Sequence, residues 1–388
     1  MEIITAERFE GIEEYSLSRL IRNAEMNSSG IINLAVGNPD LNPPAEVIRE
    51  LQDAASRKGA HSYQPTGGGD YFKKAAVEWY KKIFGVNLNP AAEIISLIGS
   101  KEGIFHISLT MLNGGNKVFV PDPGYPIYSI SAKIVGAEAI AYSLNRRNNW
   151  QIDFAELKEN YTGNEKIIWI NTPHMPTGTG LSIETLKKLI RFAMERNILI
   201  VNDNPYSMIL NRKKPFSILS LEGASGCCVE LCSLSKSFNI PGFRIALAAG
   251  NQKVISALIK SKSITDSGSY LPLHSAAVKA FELNSSWFTK LNEEYSRRKA
   301  EALKLALLLG TAAEENSSGM FLWCRLPEGA GDKSFCDNLL KLAGILLTPG
   351  SIYGNNGKGY VRISLCRPFN EINEAIERIK NINKGELC

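Results

Sequence analysis

Short apolar runs alternate with amphipathic stretches through the middle of the chain. Seven runs consist almost entirely of apolar residues, and they lie at 93–98, 117–120, 139–143, 166–171, 198–203, 229–233 and 245–249. Such a run is typical of a strand that is covered on both faces. Residues 183–196, between two of these runs, carry apolar side chains at helical spacing. The alternation predicts an α/β protein with a mostly parallel central sheet that is flanked by helices.

The two ends of the chain show a different pattern. Residues 1–45 contain one helix-like stretch and an extended arm, whereas helical stretches at 273–283 and 287–309 precede strand-like runs at 320–325 and 360–365. We therefore expect a smaller α/β domain that is built from both chain ends. The predicted division is an arm and part of the small domain at 1–45, a large central domain at 46–270, and the C-terminal part of the small domain at 271–388.

The composition excludes several classes of protein. The 388 residues are 44% hydrophobic and 21% charged, which is typical of a globular protein and not of a disordered or fibrous chain. The net charge is only +5 and no basic tract is interleaved with aromatic residues, so we expect no nucleic-acid partner. No apolar run reaches the ~18 residues of a membrane span, and the acidic N-terminus lacks an apolar signal core. Seven cysteines without framework spacing favour reduced thiols and a cytoplasmic location.

Polar segments directly follow four of the predicted strands. They occupy residues 99–103, 171–178, 203–206 and 233–236. The loops at the carboxyl ends of parallel strands lie together, and ligands bind there. The sequence therefore predicts one site that several distant loops form jointly.

The residue types in these loops suit one kind of chemistry. Lys236 follows an apolar strand and precedes Arg244, so it could form an imine with an aldehyde, because a nearby cation and burial favour the neutral amine. Asp203 ends an apolar run and needs a cationic partner, such as a protonated ring nitrogen. Ser100 and Lys101 begin a helix, where backbone N–H groups suit a phosphate. Each residue taken alone also has a structural alternative: a surface lysine, a helix cap or ordinary packing. Neither a P-loop nor a GxGxxG segment follows a strand, which argues against nucleotide chemistry of those types.

Eight segments in this order resemble the class I and II aminotransferases, pyridoxal-phosphate enzymes of fold type I that include aspartate and LL-diaminopimelate aminotransferases. The segments are NLAVGNPDLNPP, SYQPTGGGDYFKKAAVEWY, GSKEGIF, VPDPGYPIY, NTPHMPTG, DNPY, SLSKSFNIPGFR and YVRISLC. The resemblance covers nearly the whole chain. It implies that residues 46–270 form the cofactor-binding domain.

The resemblance implies a role for each matching residue. Lys236 would carry the internal aldimine and shuttle the proton, Asp203 would pair with the pyridinium nitrogen, and Tyr206 would donate to the ring oxygen. Tyr125 would stack on the ring. The phosphate would be held by Ser100, Lys101, Ser233 and Arg244. Tyr63 would reach the phosphate of the neighbouring subunit, so the expected active unit is a homodimer.

The same resemblance implies the substrate contacts. Arg362 would bind the α-carboxylate of the substrate with two parallel hydrogen bonds, a geometry that lysine cannot reproduce. The backbone of Gly37 would assist it. Tyr15 lies where diaminopimelate-type relatives place an aromatic residue that contacts substrate.

Two positions depart from the pattern of the family. Most relatives carry Asn where this chain has Met175, and that Asn donates to the ring oxygen of the cofactor. A thioether cannot donate a hydrogen bond, so Tyr206 would be the main donor, and an altered reaction specificity stays open. Thr265 stands where one branch of aspartate aminotransferases has the Arg for a distal carboxylate. A dicarboxylate substrate therefore has no support at that position, although Arg22 or Arg325 could serve.

The expected activity is transfer of an amino group from an amino acid to a 2-oxo acid by ping-pong transamination. Two alternatives remain at this stage. One is β-elimination or decarboxylation on the same fold, and the other is a non-catalytic relative that binds pyridoxal phosphate. No metal is expected, because the four histidines match no metal-ligand spacing.

Overall fold

The computed structural model describes residues 3, 5–12, 19–22, 30–211, 214–380, 382, 385 and 387. Its largest element is a sheet of seven strands, in the order β2-β8-β7-β6-β5-β3-β4. The strands are β2 Ile94–Leu97, β3 Lys117–Asp122, β4 Glu138–Ser143, β5 Glu165–Asn171, β6 Leu199–Asp203, β7 Cys228–Ser233 and β8 Ala246–Gly250. All seven predicted strands are thus confirmed, with ends that shift by no more than two residues.

Strands β3 to β7 run parallel to one another, whereas β8 runs antiparallel to both β7 and β2. The sheet is therefore mostly parallel, as the continuous apolar runs predicted. The carboxyl ends of β5, β6 and β7 lie side by side, with Asn171 opposite Asp203 and Asp203 opposite Leu231. This register brings the polar segments after these strands to one edge of the sheet.

Helices cover both faces of the sheet, because alternate strand residues point to opposite sides. Ile167 and Trp169 of β5 pack in one apolar cluster, and Ile168 and Ile170 pack in another. The helices are Ala45–Ala55, Asp70–Phe84, Ser100–Met111, Ile127–Ile134, Phe154–Glu159, Ile183–Arg196, Ala224–Cys227, Leu234–Ser237, Gln252–Thr265, Leu271–Phe281, Ser285–Leu308, Asp332–Ala343 and Phe369–Lys380. None of the helices in the described ranges is long and apolar enough to cross a membrane.

A second, antiparallel sheet has the order β12-β13-β10-β9, and a separate parallel pair joins β1 to β11. These strands are β1 Ile32–Asn33, β9 Ala312–Ala313, β10 Phe321–Arg325, β11 Ile345–Leu346, β12 Thr348–Pro349 and β13 Tyr360–Ser364. The pairing of β1 with β11 unites the two ends of the chain in one smaller α/β unit, as expected. The proposed domain limits at 45/46 and 270/271 stay a prediction.

An ion pair fastens the arm that follows β1. The guanidinium of Arg298 contacts both carboxylate oxygens of Asp40, at 2.5 and 3.0 Å, and its Nε donates to Glu294 at 2.8 Å. The Arg298 side chain is only 2% exposed. Bidentate pairs of this kind fix geometry as well as contributing energy. Arg298 therefore anchors the segment that carries Gly37.

Candidate active site

A cavity of about 260 Å³ opens at the carboxyl ends of β5, β6 and β7. Ten of the twelve predicted site residues line it. They are Gly37, Ser100, Lys101, Tyr125, Asp203, Tyr206, Ser233, Lys236, Arg244 and Arg362. Residues from six separate segments of the chain thus meet in one place.

Lys236 lies in a single helical turn, Leu234–Ser237, that begins directly after β7. The side chain of Ser233 caps this turn by accepting a hydrogen bond from the backbone N–H of Ser235. Nζ of Lys236 donates to the carbonyl oxygen of Gly37 at 2.5 Å. Burial lowers the pKa of Lys236, and the nearby cations Arg244 and Arg362 lower it further. The environment therefore favours the neutral, nucleophilic amine.

Asp203 lies at the end of β6 and is buried. Its Oδ2 accepts a hydrogen bond of 2.9 Å from the hydroxyl of Tyr128. Its Oδ1 is also buried and has no donor among the residues that the structure describes. Burial raises the pKa of Asp203 to about 7. A buried carboxylate oxygen without a partner is costly, so this oxygen is poised for a cationic donor from a ligand.

The opposite end of the cavity suits an anion. The helix Ser100–Met111 begins there, directed by Gly99 at a φ of +80°. A Cβ on Gly99 would overlap Nη2 of Arg244, so only glycine lets the guanidinium lie this close to the helix start. Arg244 is held in turn by a 3.0 Å hydrogen bond from Nη1 to the carbonyl oxygen of Pro241. Backbone N–H groups of a helix start together with an arginine are a phosphate-binding arrangement.

These parts fit pyridoxal phosphate. The cofactor has a phosphate at one end, a protonatable ring nitrogen at the other and an aldehyde between them. The cavity offers the helix start with Arg244, the unsatisfied oxygen of Asp203 and the amine of Lys236. Tyr125 and Tyr206 also line the cavity and provide aromatic surface for a ring.

Arg362 projects from β13 into the same cavity and is 3% exposed. Its guanidinium carbon lies 3.8 Å from the ring centroid of Phe321. Nη2 donates to the carbonyl oxygen of Ala35 at 2.6 Å, and Nη1 donates to Sδ of Met175 at 3.3 Å. The two acceptors are both neutral, so Arg362 retains its charge for a carboxylate.

The loop after β5 connects these groups. Oδ1 of Asn171 accepts a 2.6 Å hydrogen bond from the backbone N–H of Met175, and Nδ2 of Asn171 donates to the carbonyl oxygen of Asp203. Nδ1 of His174, in the same loop, lies 2.9 Å from Oγ1 of Thr177, and burial lowers the pKa of this histidine to about 3. A neutral His174 shapes the loop and adds no charge to the cavity.

A family model described as "Aminotransferase class I and II" matches residues 29–379. The chain belongs to this family. An LL-diaminopimelate aminotransferase of Dehalococcoides mccartyi is 36% identical over 97% of this chain and 98% of that protein. One of Aquifex aeolicus is 38% identical over 91% of both chains. The substrate-bound structure of BacF from Bacillus subtilis matches with a TM-score of 0.94, 30% identity and 98% coverage of both chains. The protein is thus an aminotransferase, and its family depends on pyridoxal phosphate.

Of the predicted site residues that the structure describes, one lies outside the cavity of this aminotransferase. Tyr63 is 91% exposed on the surface, which fits a residue that serves another subunit. Tyr15 lies outside the residues that the structure describes. The contacts of Thr265 do not indicate a role in binding a ligand, because its hydroxyl donates to the backbone carbonyls of Ser261 and Lys262 at the end of its own helix.

The cavity of the aminotransferase also contains Tyr128, Asn171 and Phe321, for which the sequence predicted no individual role. Tyr128 follows Tyr125 by one helical turn, and that spacing was the available signal for it. Asn171 is the last residue of a predicted strand, where side chains of a parallel sheet turn towards the ligand. Phe321 had no signal, because an aromatic residue in an apolar strand is typical of the core.

Proposed function

We propose that Lys236 binds pyridoxal phosphate covalently in this cavity and that the ten lining residues named above hold the cofactor and an amino-acid substrate. The observation that carries the proposal is the unsatisfied Oδ1 of Asp203, which shares one cavity with a lysine of lowered pKa and an arginine-backed helix start.

The cofactor, when bound, stabilises negative charge on the α-carbon of the amino acid. Asp203 would stay ionised beside the protonated ring nitrogen and so keep the ring electron-poor. The amine of Lys236, once free, would take the proton from the α-carbon of the substrate and would return it to the former aldehyde carbon of the cofactor. Arg362 would hold the α-carboxylate of the substrate. The carbonyl oxygen of Gly37, which accepts a hydrogen bond from Lys236 in this structure, lies on the side of the cavity from which the lysine would act. Such fixed positioning supplies a large part of the rate enhancement.

The active unit is proposed to be a homodimer. Tyr63 is exposed in the single chain and does not line the cavity of its own subunit. In a dimer, the hydroxyl of Tyr63 would donate to the phosphate in the neighbouring subunit. An exposed tyrosine then becomes a buried site residue.

We further propose that the amino donor belongs to the diaminopimelate class. The names of the relatives that are 36% and 38% identical support this choice. The hydroxyl of Thr265 donates to its own helix, so Thr265 supplies no cation for the distal carboxylate of such a donor. Arg362 would bind the α-carboxylate of any such donor.

Two experiments test the proposal. Borohydride reduction of the holoenzyme, followed by peptide mapping, should place the cofactor on Lys236, and a label on another residue would contradict the assignment. A panel of amino donors, including LL-diaminopimelate, should be paired with 2-oxoglutarate and pyruvate. Single-substrate turnover should leave the aminated form of the cofactor. Release of pyruvate and ammonia without it would indicate a lyase, and no turnover with any donor would indicate a non-catalytic relative.

A further inference from the structure

Two of the N–H groups of Arg362 donate hydrogen bonds within the protein, and the others are left for a ligand. A guanidinium carries five N–H hydrogens, two on each terminal nitrogen and one on Nε. In this structure Nη1 gives one hydrogen to Sδ of Met175, and Nη2 gives one to the carbonyl oxygen of Ala35. Each terminal nitrogen therefore keeps one hydrogen, and the buried Nε has no acceptor among the described residues. A carboxylate accepts two neighbouring N–H groups of such a set in the bidentate arrangement.

The thioether acceptor has two properties that matter here. It is neutral, so it leaves the charge of the buried Arg362 available, whereas a carboxylate at position 175 would compete with the substrate. It is also weak, because sulfur is a poor acceptor. Met175 is 8% exposed, and its backbone N–H is fixed by Asn171 at 2.6 Å, so its side chain has a defined place.

We propose that Met175 is a positioning residue for substrate binding: its sulfur holds one terminal nitrogen of Arg362 while Ala35 holds the other, so that N–H groups without a protein acceptor are aimed at the α-carboxylate. The inference rests on the proposed role of Arg362. Without the sulfur, Nη1 would lose this acceptor, and only the bond from Nη2 to Ala35 and the contact with Phe321 would fix the orientation of the guanidinium.

The test compares two ligands of the holoenzyme. The amino acid 2-methylalanine carries a carboxylate but has no α-proton to lose, so it binds without turnover, and ethylamine has no carboxylate. Both are followed by the absorbance of the cofactor. Met175→Leu conserves volume and removes the acceptor. We expect a dissociation constant for 2-methylalanine that is roughly three- to tenfold higher, the effect of one modest hydrogen bond to a charged group, and no change for ethylamine.

Three further variants make the result decisive. Met175→Gln, which restores an acceptor at similar reach, should restore the affinity for 2-methylalanine. Met208→Leu changes a methionine that is equally buried, at 8% exposure, but lies outside the cavity, and should have no effect. Met175→Val repeats the loss of the acceptor if Met175→Leu does not fold. Steady-state kinetics with an active donor should show a higher KM and an unchanged kcat.

The outcomes separate this inference from the proposed function. If Arg362→Lys leaves 2-methylalanine binding intact, Arg362 does not bind the carboxylate and the proposed function is wrong at that residue. If Arg362→Lys weakens binding but Met175→Leu does not, only the role of Met175 is overturned. Equal weakening of both ligands in Met175→Leu, or failure of Met175→Gln to restore binding, would also overturn it.

Discussion

The hydroxyl of Tyr128 donates a 2.9 Å hydrogen bond to Oδ2 of Asp203, although the two residues are 75 positions apart in the sequence. This hydrogen bond reaches only one of the two carboxylate oxygens. The other oxygen is buried without a donor in the described part of the chain. The site thus combines one satisfied and one unsatisfied oxygen on a single side chain. Burial outweighs the bond from Tyr128, and the pKa of Asp203 rises to about 7.

This raised pKa predicts how the stability of the apoprotein depends on pH. The ordinary pKa of the carboxyl group is 3.8 and the folded value is about 7, so between these values the folded state binds more protons than the unfolded state. The contribution of Asp203 to the free energy of unfolding therefore falls as the pH rises from about 4 to 7, by at most roughly 1.4 kcal/mol per pH unit. Above pH 7 this contribution is constant. Denaturant unfolding of apoprotein should show this fall in the difference between wild type and Asp203→Asn, because the opposing contribution of His174 is common to both.

Tyr128→Phe provides the matched control for that measurement. It removes the donor that favours the charged form of Asp203, so the pKa of Asp203 should rise further and the loss of stability should extend above pH 7. Saturation with pyridoxal phosphate should abolish the pH dependence in the wild type. Parallel curves for wild type and Asp203→Asn in the apoprotein would contradict the account.

Gly99→Ala should weaken cofactor binding at the phosphate end. The added Cβ would overlap the guanidinium of Arg244, and the residue would also be strained at a φ of +80°. We expect the affinity of the apoprotein for pyridoxal phosphate to fall at least about tenfold, the equivalent of one charged hydrogen bond. Fluorescence titration measures this. Gly114→Ala is the control, because its Cβ meets nothing within 4 Å; equal losses in both variants would reject the explanation.

Tyr63→Phe should weaken cofactor binding in the neighbouring subunit and not in its own. The homodimeric variant should bind pyridoxal phosphate roughly tenfold less tightly. In a hybrid dimer of one Tyr63→Phe subunit and one Lys236→Ala subunit, the intact lysine site receives its tyrosine from the partner. That site should bind with wild-type affinity. A defect as large as that of the Tyr63→Phe homodimer would show that Tyr63 acts within its own chain.

Asp40→Asn should affect both stability and substrate binding, because Asp40 ties the arm of Gly37 to the buried Arg298. We expect a loss of about 2 kcal/mol in the free energy of unfolding, in the range for a charged hydrogen bond, and a higher KM for the amino donor. Glu301→Gln is the control: its partner Lys304 is exposed, and such a pair contributes at most about 0.5 kcal/mol. A change in stability with an unchanged KM would mean that the arm does not position Gly37.

Much of the architecture follows from local pattern. The seven apolar runs predicted the seven strands, and the helix Ile183–Arg196 was predicted to the residue. The reversed direction of β8 was not predictable, because a short apolar strand has the same pattern in either direction. Ten of the site residues that were predicted from the ordered motifs line one cavity.

The remaining features depend on distance in space. The contact between Arg362 and Met175 joins residues 187 positions apart, and the bond from Tyr128 to Asp203 joins residues 75 apart. No local pattern encodes such pairings. The family pattern marked Met175 as unusual because its side chain cannot donate a hydrogen bond. In the structure, the sulfur of Met175 instead accepts a hydrogen bond from Arg362.

The pairing of Ile32 with Ile345 also constrains the order of events during synthesis. Ala35 and Gly37 emerge from the ribosome long before the strands that complete their surroundings. A nascent chain that still lacks β11 and β13 would have Lys236 and Asp203 but not Arg362. Catalytic competence should therefore arise only after β13 has been translated, when β1 and β11 can pair.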